Sequence, residues 1–185
     1  MAKQKNLPFC IYFYKSGTLL TSTLLEIYRF TQEAYMATDL VLILDNIRSN
    51  YNVGAIFRTA DAFRVQEIVC AGYTPTPETE GLKKTALGAE ITVPWRAESL
   101  EASIKRLRAD GYQIVALEIG GEDIAKFKTP EKIALILGNE VEGVNPEILK
   151  SVDHRLEIPM RGKKESLNVS VACGIALFAL QSGRL

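Results

Sequence analysis

Four short, uninterrupted apolar segments constrain the fold more than any other feature of the sequence. A strand with one face in water alternates apolar and polar residues, whereas a strand covered on both faces is apolar throughout. The continuous segments therefore predict buried strands of a parallel sheet with helices on both faces. They are Leu40–Leu44, Ile68–Ala71, Ile114–Leu117 and Ile133–Leu137, with Ile91–Trp95 and Arg155–Ile158 as weaker candidates.

Helical patterns alternate with these strands. Ser99–Ala109 has an amphipathic spacing, and Gly111 just beyond it is a typical stop signal. Two further helices are predicted by apolar stripes, namely Val53, Ile56, Phe57, Ala60 and Phe63, and Leu167, Val171, Ile175 and Phe178. Strands alternating with helices predict a doubly wound α/β domain over residues 39–185. Residues 1–38 form a short extension, in which Thr21–Met36 fits one amphipathic helix.

Composition excludes several classes of protein. The 22 Lys and Arg residues balance 22 Asp and Glu residues, so net charge supplies no general attraction to polyanions. Apolar residues make up 47% of the chain, which is enough for a substantial core. The sequence lacks the run of roughly 18 apolar residues that a membrane span requires, and we expect a cytoplasmic protein.

The cysteine and histidine pattern argues against a metal site. Cys10, Cys70 and Cys173 are far apart without a CxxC spacing, so we expect reduced thiols in the core rather than a disulfide or a zinc site. His154 is the single histidine of the chain, and one imidazole cannot build a two-histidine metal site. A turn residue before a strand is the favoured interpretation of His154, ahead of a catalytic one.

The glycines do not form a known nucleotide-binding loop. No GxG pair occurs, which excludes the dinucleotide-binding fingerprint. Gly138–Gly143 has the glycine spacing of a P-loop, but Val144 and Asn145 follow it where lysine and serine or threonine are needed. Glu140 would also repel phosphates, so we exclude nucleoside triphosphate binding.

Three polar loops follow predicted strands. The first, 45–58, leads into a helix that Asn50 or Asn52 could cap. The second, 138–144, contains glycines that let backbone approach a ligand, although a simple turn explains them as well. The third, 158–170, places charged and polar residues between a strand and an apolar helix.

The residues of these loops carry a resemblance to a known family. The motifs are Asn52-x-Gly54-x-x-x-Arg58-Thr59-Ala60, Leu137-Gly138-Asn139-Glu140-x-x-Gly143, and Ile158-Pro159-Met160-x-Gly162 followed by Ser166–Ala172. In this order they resemble the SpoU (TrmH) family of RNA 2′-O-ribose methyltransferases, within the SPOUT superfamily. The resemblance extends over roughly Leu40 to Phe178.

The resemblance implies a parallel α/β domain whose C-terminal segment forms a deep trefoil knot, an exception to the rule that chains are unknotted. It implies S-adenosylmethionine as cofactor, with Gly138, Ile158 and Leu167 in contact with it and Met160 close by. It also implies an RNA substrate, either tRNA or rRNA, and a homodimer with RNA contacting both subunits. The reaction needs no metal.

The resemblance also implies which residues form the catalytic centre: Arg58, Asn52, Glu140, Ser166 and Asn168. A guanidinium stays protonated at ordinary pH, so a role as base is unfavourable for Arg58. We therefore favour Arg58 as a group that grips the RNA phosphate and stabilises a developing alkoxide. Glu140 fits an orienting role better than that of a base.

Two questions stay open at this level. The loop with Arg161, Lys163 and Lys164 is either a phosphate-binding patch or a solvated turn, and the apolar stripe of the last helix suits a dimer interface as well as the core. Two alternative interpretations of the sequence are also open. The protein is a catalytically silent RNA-binding relative with the same fold, or it is a small-molecule enzyme of another α/β class. The motif residue types disfavour the first, and the missing nucleotide loops disfavour the second.

Overall fold

A computed structural model of the protein describes residues 38–182. The predicted helix Thr21–Met36 and the predicted core thiol Cys10 lie outside the described residues.

A six-stranded sheet forms the centre of the domain. The strands are β1 Asp39–Asp45, β2 Glu67–Ala71, β3 Trp95–Ala97, β4 Gln113–Asp123, β5 Lys132–Leu137 and β6 His154–Glu157. Their order across the sheet is β3-β2-β1-β5-β4-β6, and each neighbouring pair is parallel. The four continuous apolar segments all lie within these strands, and the prediction of a strand at 155–158 is confirmed by β6.

The helices pack on both faces of the sheet, as predicted. Their bounds are α1 Asn50–Ala62, α2 Lys83–Ala86, α3 Ala89–Thr92, α4 Leu100–Ala109, α5 Pro146–Leu149 and α6 Val169–Ser182, with a 3₁₀ turn at Ile124–Lys126. Leu42 of β1 joins the core under α1 and α6, whereas its neighbour Ile43 joins the core under α4. Because successive side chains of one strand enter different cores, the strand is apolar at each of its five central positions, Leu40–Leu44.

The strand predicted at Ile91–Trp95 is wrong. Residues 91 and 92 end the short helix α3, and β3 begins only at Trp95. The side chain of Ile91 is exposed, so its apolar character does not report a buried strand. Pro94 separates the two elements, and its carbonyl accepts the Ile68 N–H at the start of β3.

The apolar stripe predicted for the last helix faces outward. Val171, Ile175 and Phe178 are 50%, 39% and 63% exposed. The core instead contacts another face of α6, formed by Val169, Cys173, Ala176, Leu177 and Leu180. Helix α6 is thus apolar on more than one side, and core packing does not account for the stripe.

Cys70 and Cys173 are free thiols in the core, as predicted. Burial raises the pKa of both thiols to about 12, so both are protonated and unreactive at neutral pH. Among residues 38–182, no group of three or more metal-ligating side chains is assembled. Within the same range, no helix is long and apolar enough to cross a membrane.

Close packing of α1 on α2 generates a stability prediction for Gly54. A Cβ at this position would lie against the Thr85 hydroxyl and within 3.0 Å of the Ala86 backbone nitrogen. Alanine normally stabilises a helix interior by up to about 1 kcal/mol relative to glycine, but overpacking costs about 1–3 kcal/mol. We expect Gly54→Ala to lower the free energy of unfolding in urea. Gly162→Ala is the control, since a Cβ there meets nothing within 4 Å; equal stability of both variants would contradict the packing argument.

Candidate functional site

The carboxyl ends of the parallel strands meet at one edge of the sheet, where α/β folds generally bind ligands. A cavity of about 590 Å³ lies at this edge. Its walls come from residues 117–119 within β4, the end of β5, the loop after β5, the loop after β6 and the start of α6. The volume lies within the range of small-molecule and cofactor sites.

The structure brings most of the predicted site residues to this cavity. Gly138, Ile158, Met160 and Leu167, predicted to contact the cofactor, all line it. Glu140 and Ser166, predicted for the catalytic centre, line it as well. Ile158 and Leu167 supply apolar wall, which suits the flat face of an adenine ring.

Asn52 and Asn168 join the site through a chain of hydrogen bonds. Nδ2 of Asn52 donates to Oε1 of Glu140 at 3.0 Å, and Nδ2 of Asn168 donates to Oδ1 of Asn52 at 3.0 Å. Oδ1 of Asn168 in turn accepts from the Ser170 backbone N–H at 2.9 Å. This Glu140–Asn52–Asn168 chain connects α1, the loop after β5 and the start of α6, which are the three motif segments.

The prediction that an asparagine caps α1 is wrong. Ser49 is the N-cap, and its Oγ accepts from the backbone N–H of Asn52 at 3.3 Å. The serine cap leaves the Asn52 side chain available for Glu140. Asn50 instead donates from Nδ2 to the Glu80 carbonyl at 3.1 Å.

Hydrogen bonds keep Glu140 ionised. Burial by itself would raise the pKa of its carboxyl, but the Asn52 amide and the backbone N–H groups of Glu140, Arg48 and Ser49 donate to the carboxylate and lower the pKa overall. A carboxylate with a lowered pKa is a poor proton acceptor near neutral pH. The electrostatics therefore favour an orienting role for Glu140 over that of a base.

The loop after β5 is folded tightly on itself. A Cβ on Gly138 would overlap the backbone of Gly143 and Val144. The predicted reason for this glycine was backbone approach to a ligand, but the space is filled by the loop's own return. Asn139 is buried, donates from Nδ2 to the Asn46 carbonyl and the Tyr73 hydroxyl, and accepts at Oδ1 from the Val141 N–H.

Sequence reasoning missed the wall supplied by β4. The pairing of β4 with β6 shifts register between Leu117 and Glu122, so the intervening residues bulge out of the sheet. Glu118 and Ile119 line the cavity as a result, and Oε2 of Glu118 accepts the Val144 N–H at 2.8 Å. The two glycines that follow, 120 and 121, were the available signal, since paired glycines inside a strand pattern indicate a bulge.

Arg58 lies away from this cavity within its own chain. It is exposed on α1 and lines a separate cavity of about 500 Å³ with residues that include Asp61 and Gly88. Arg58 follows Asn52 by six residues, which turns it about 240° around the helix. The two side chains therefore leave α1 on different sides.

His154 does not line the cavity. It opens β6, where its Nδ1 lies 3.0 Å from Oε1 of Glu122 and its ring meets Phe127 edge-on at 4.9 Å. Arg161, Lys163 and Lys164 are exposed on the loop after β6, and Lys164 lines the cavity.

Comparison with known proteins places this geometry in a family context. Residues 39–178 match the model of the SpoU rRNA Methylase family. The 23S rRNA (guanosine-2′-O-)-methyltransferase RlmB of Coxiella burnetii is 36% identical over 147 residues, 78% of this chain and 59% of that protein. The tRNA (guanosine(18)-2′-O)-methyltransferase of Aquifex aeolicus is 35% identical over 155 residues, 79% of this chain and 70% of that protein.

Solved structures agree with these relatives. An rRNA methyltransferase of Sinorhizobium meliloti with AdoMet bound matches with a TM-score of 0.75 and 30% identity, over 80% of this chain and 57% of that one. The TrmH/SpoU tRNA modifying enzyme of A. aeolicus matches with a TM-score of 0.70 and 28% identity, over 87% of this chain and 85% of that one. The chain thus spans less than two thirds of several relatives that it matches.

The hydrogen-bond chain generates a prediction about ionisation. Asn52→Ala removes a donor to the charged form of Glu140, so we expect the pKa of this carboxyl to rise. Side-chain carbon NMR during a pH titration measures the shift. Asn50→Ala is the matched control, because Asn50 bonds Glu80 instead and its loss leaves the pKa of Glu140 unchanged. An unchanged pKa in Asn52→Ala would contradict the proposed geometry.

Proposed function

Because the chain belongs to the SpoU rRNA methylase family, we propose that it transfers a methyl group from S-adenosylmethionine to the 2′-hydroxyl of a ribose in tRNA or rRNA. The observation that carries the proposal is that the second and third motif segments line one cavity, and that hydrogen bonds from Asn52 of the first motif to Glu140 and from Asn168 to Asn52 join all three segments. Named relatives methylate guanosine at this hydroxyl in 23S rRNA and in tRNA.

The residues of the cavity fit S-adenosylmethionine. Gly138, Ile158, Met160 and Leu167 would hold it, with the apolar side chains against the adenine and the glycine supplying backbone groups. When bound, the cofactor supplies a methyl group activated by a positively charged sulfur. With the methyl group activated in this way, the protein's own residues need only align the ribose hydroxyl and accommodate its proton, and no metal is required.

The polar residues at the cavity hold the ribose in our proposal. Ser166 lines the cavity, and the Asn52 and Asn168 amides are oriented by their mutual hydrogen bond. The ionised Glu140 accepts the hydrogen bond from the Asn52 amide and so fixes the other side of that amide. Preorganised donors and acceptors of this kind lower the barrier by positioning the hydroxyl in line with the methyl group.

Arg58 completes the site from a second copy of the chain in our proposal. Its guanidinium would bind the phosphate next to the reacting ribose and stabilise the alkoxide, because it stays protonated and cannot act as a base. The support is indirect: Arg58 belongs to the first motif but lines a different cavity in its own chain. In a dimer, Arg58 of one subunit would lie at the cofactor cavity of the other subunit.

The surface of α6 supports a homodimer. Leu167, Val171, Ile175 and Phe178 form an exposed apolar stripe that begins at the cavity wall. Burying such a stripe against a second copy removes apolar area from water, which contributes roughly 25 cal/mol per Å². We include the deep trefoil knot in the proposal on the strength of the family match, and the cytoplasmic location stays a prediction.

The exposed cations of the loop after β6 are proposed to contact RNA phosphates. Arg161, Lys163 and Lys164 concentrate positive charge beside the cavity, although the whole chain has no net charge. Phosphate contacts of this type position a nucleic acid without reading its sequence. Whether tRNA or rRNA is the target is tested by mapping 2′-O-methyl sites in RNA from cells with and without the gene.

Arg58→Ala tests the catalytic assignment. We expect methyl transfer from tritiated S-adenosylmethionine to total RNA to fall about 10²–10³-fold, the usual cost of removing one transition-state donor. Cofactor affinity, measured by calorimetry, should stay unchanged because Arg58 is proposed to contact the RNA phosphate and the alkoxide rather than the cofactor. Lys105→Ala, which removes an exposed cation of α4, serves as control. Loss of cofactor binding equal to the loss of activity would oppose the assignment.

Phe178→Asp tests the dimer. A charge in a buried apolar interface is strongly unfavourable, so we expect analytical ultracentrifugation to detect monomers with native circular dichroism. Ile91→Asp is the matched control, because Ile91 is an exposed isoleucine on α3 rather than on the stripe.

Co-expression tests whether Arg58 acts across the dimer. We expect Arg58→Ala and a cavity-blocked Ser166→Trp chain to be inactive when each is expressed alone. If Arg58 acts across the interface, a mixed dimer holds one open cavity facing one intact Arg58. Activity in the mixed dimer supports action across subunits, and its absence would refute it.

A further inference from the structure

A cation and an aromatic ring form a pair beside the cavity that the chemistry above does not use. The guanidinium carbon of Arg48 lies 5.9 Å from the centroid of the Tyr73 ring. Arg48 is exposed, and Tyr73 is 54% exposed. The pair thus presents an aromatic ring and a guanidinium at the surface, which are the two kinds of group on which nucleic-acid bases stack.

Two hydrogen bonds hold Tyr73 in place. Its hydroxyl accepts from Nδ2 of Asn139 at 2.7 Å, and its backbone N–H donates to Oδ1 of Asn46 at 3.2 Å. Asn139 is buried, and Asn46 adopts a positive φ of 56° beside Gly72. Ordering the ring before binding reduces the entropy that a ligand must offset.

The pair is connected to the candidate active site. The Arg48 backbone N–H donates to Oε2 of Glu140 at 3.3 Å, and both Glu140 and Asn139 line the cavity. Tyr73 follows β2, whereas Gly138 follows β5, and β1 lies between these strands. Two strand spacings amount to about 10 Å, so a group bound on the pair lies near one bound in the cavity.

We propose that the Arg48–Tyr73 pair stacks the base of an unpaired nucleotide close to the ribose that is methylated. This inference rests on the proposed function, because it takes RNA to be the substrate. Aromatic rings and guanidinium planes stack bases of any sequence, and they reach only bases that are unstacked from a duplex.

The experiment compares two substitutions at the ring. Tyr73→Leu keeps apolar bulk but removes the aromatic face, whereas Tyr73→Phe keeps the face and removes only the hydroxyl, which contacts Asn139 and Arg48. Binding of a fluorescein-labelled single-stranded oligo(A) is measured by anisotropy. We expect Tyr73→Leu to raise the dissociation constant about ten-fold, within the range for loss of one stacked base, and Tyr73→Phe to stay within about two-fold of wild type.

Arg48 is tested in the same assay. Arg48→Lys keeps the charge but loses the guanidinium plane, so stacking predicts weaker oligo(A) binding, while a purely electrostatic contact predicts rescue by lysine. Tyr112→Leu is the matched control, since Lys132 Nζ lies 5.5 Å from the Tyr112 ring centroid and Tyr112 precedes β4, at the opposite edge of the sheet. Thermal melting and cofactor calorimetry verify that each variant is folded.

Three outcomes would overturn the inference. The first is that the wild-type protein does not bind oligo(A), and the second is that Tyr73→Leu binds it as tightly as wild type. The third is an equal loss of oligo(A) affinity in Tyr73→Leu and Tyr73→Phe, which would mean that Tyr73 acts only through its hydroxyl contacts. The proposed function is assessed separately by methyl transfer to total RNA. Oligo(A) binding through Tyr73 without any methyl transfer would refute the proposed function and leave the stacking surface intact.

Discussion

The hydrogen bonds from Asn168 to Asn52 and from Asn52 to Glu140 are the interaction on which the site depends. They join residues separated by 116 and 88 positions in the chain. The Asn52 amide donates to Glu140 and accepts from Asn168, and the Asn168 amide donates to Asn52 and accepts from the Ser170 backbone N–H. Both amide groups therefore have a defined orientation. The ionised Glu140 strengthens the bond that it accepts from Asn52, because hydrogen bonds to a charged acceptor are stronger than neutral ones.

Backbone packing next to these hydrogen bonds shapes the cavity. The loop after β5 turns back so closely that Gly138 has no room for a side chain, and the bulge in β4 turns Glu118 and Ile119 toward the same space. Glu118 accepts the Val144 N–H, and this hydrogen bond connects the bulge of β4 to the loop after β5. The wall is thus preorganised by bonds within the protein, which limits the entropy lost when a ligand enters.

Two surface features extend the site beyond one cavity. The apolar stripe of α6 begins at Leu167, which is also part of the cavity wall, so an interface formed there would border the cofactor. Arg48 and Tyr73 lie next to Glu140, which also lines the cavity. In our proposals the cavity therefore borders both the dimer contact, through Leu167, and the base-stacking surface, through Glu140.

The sequence by itself determined the buried strands, the alternation with helices, and the residue types in the three polar loops. Continuous apolarity is a local signal, and for β1 and β5 it marks a strand covered on both faces. The same signal failed at Ile91, where an exposed residue belongs to a short helix. The motif resemblance also selected Gly138, Ile158, Met160 and Leu167, which line one cavity.

Only the tertiary structure decided which contacts these residues make. It put Ser49 rather than an asparagine at the start of α1, turned the apolar stripe of α6 to the surface, and separated Arg58 from the cavity of its own chain. The bulge of β4 became part of the wall in the same way. The physical reason is that local patterns record burial and periodicity, whereas strand order and close packing determine which distant residues meet.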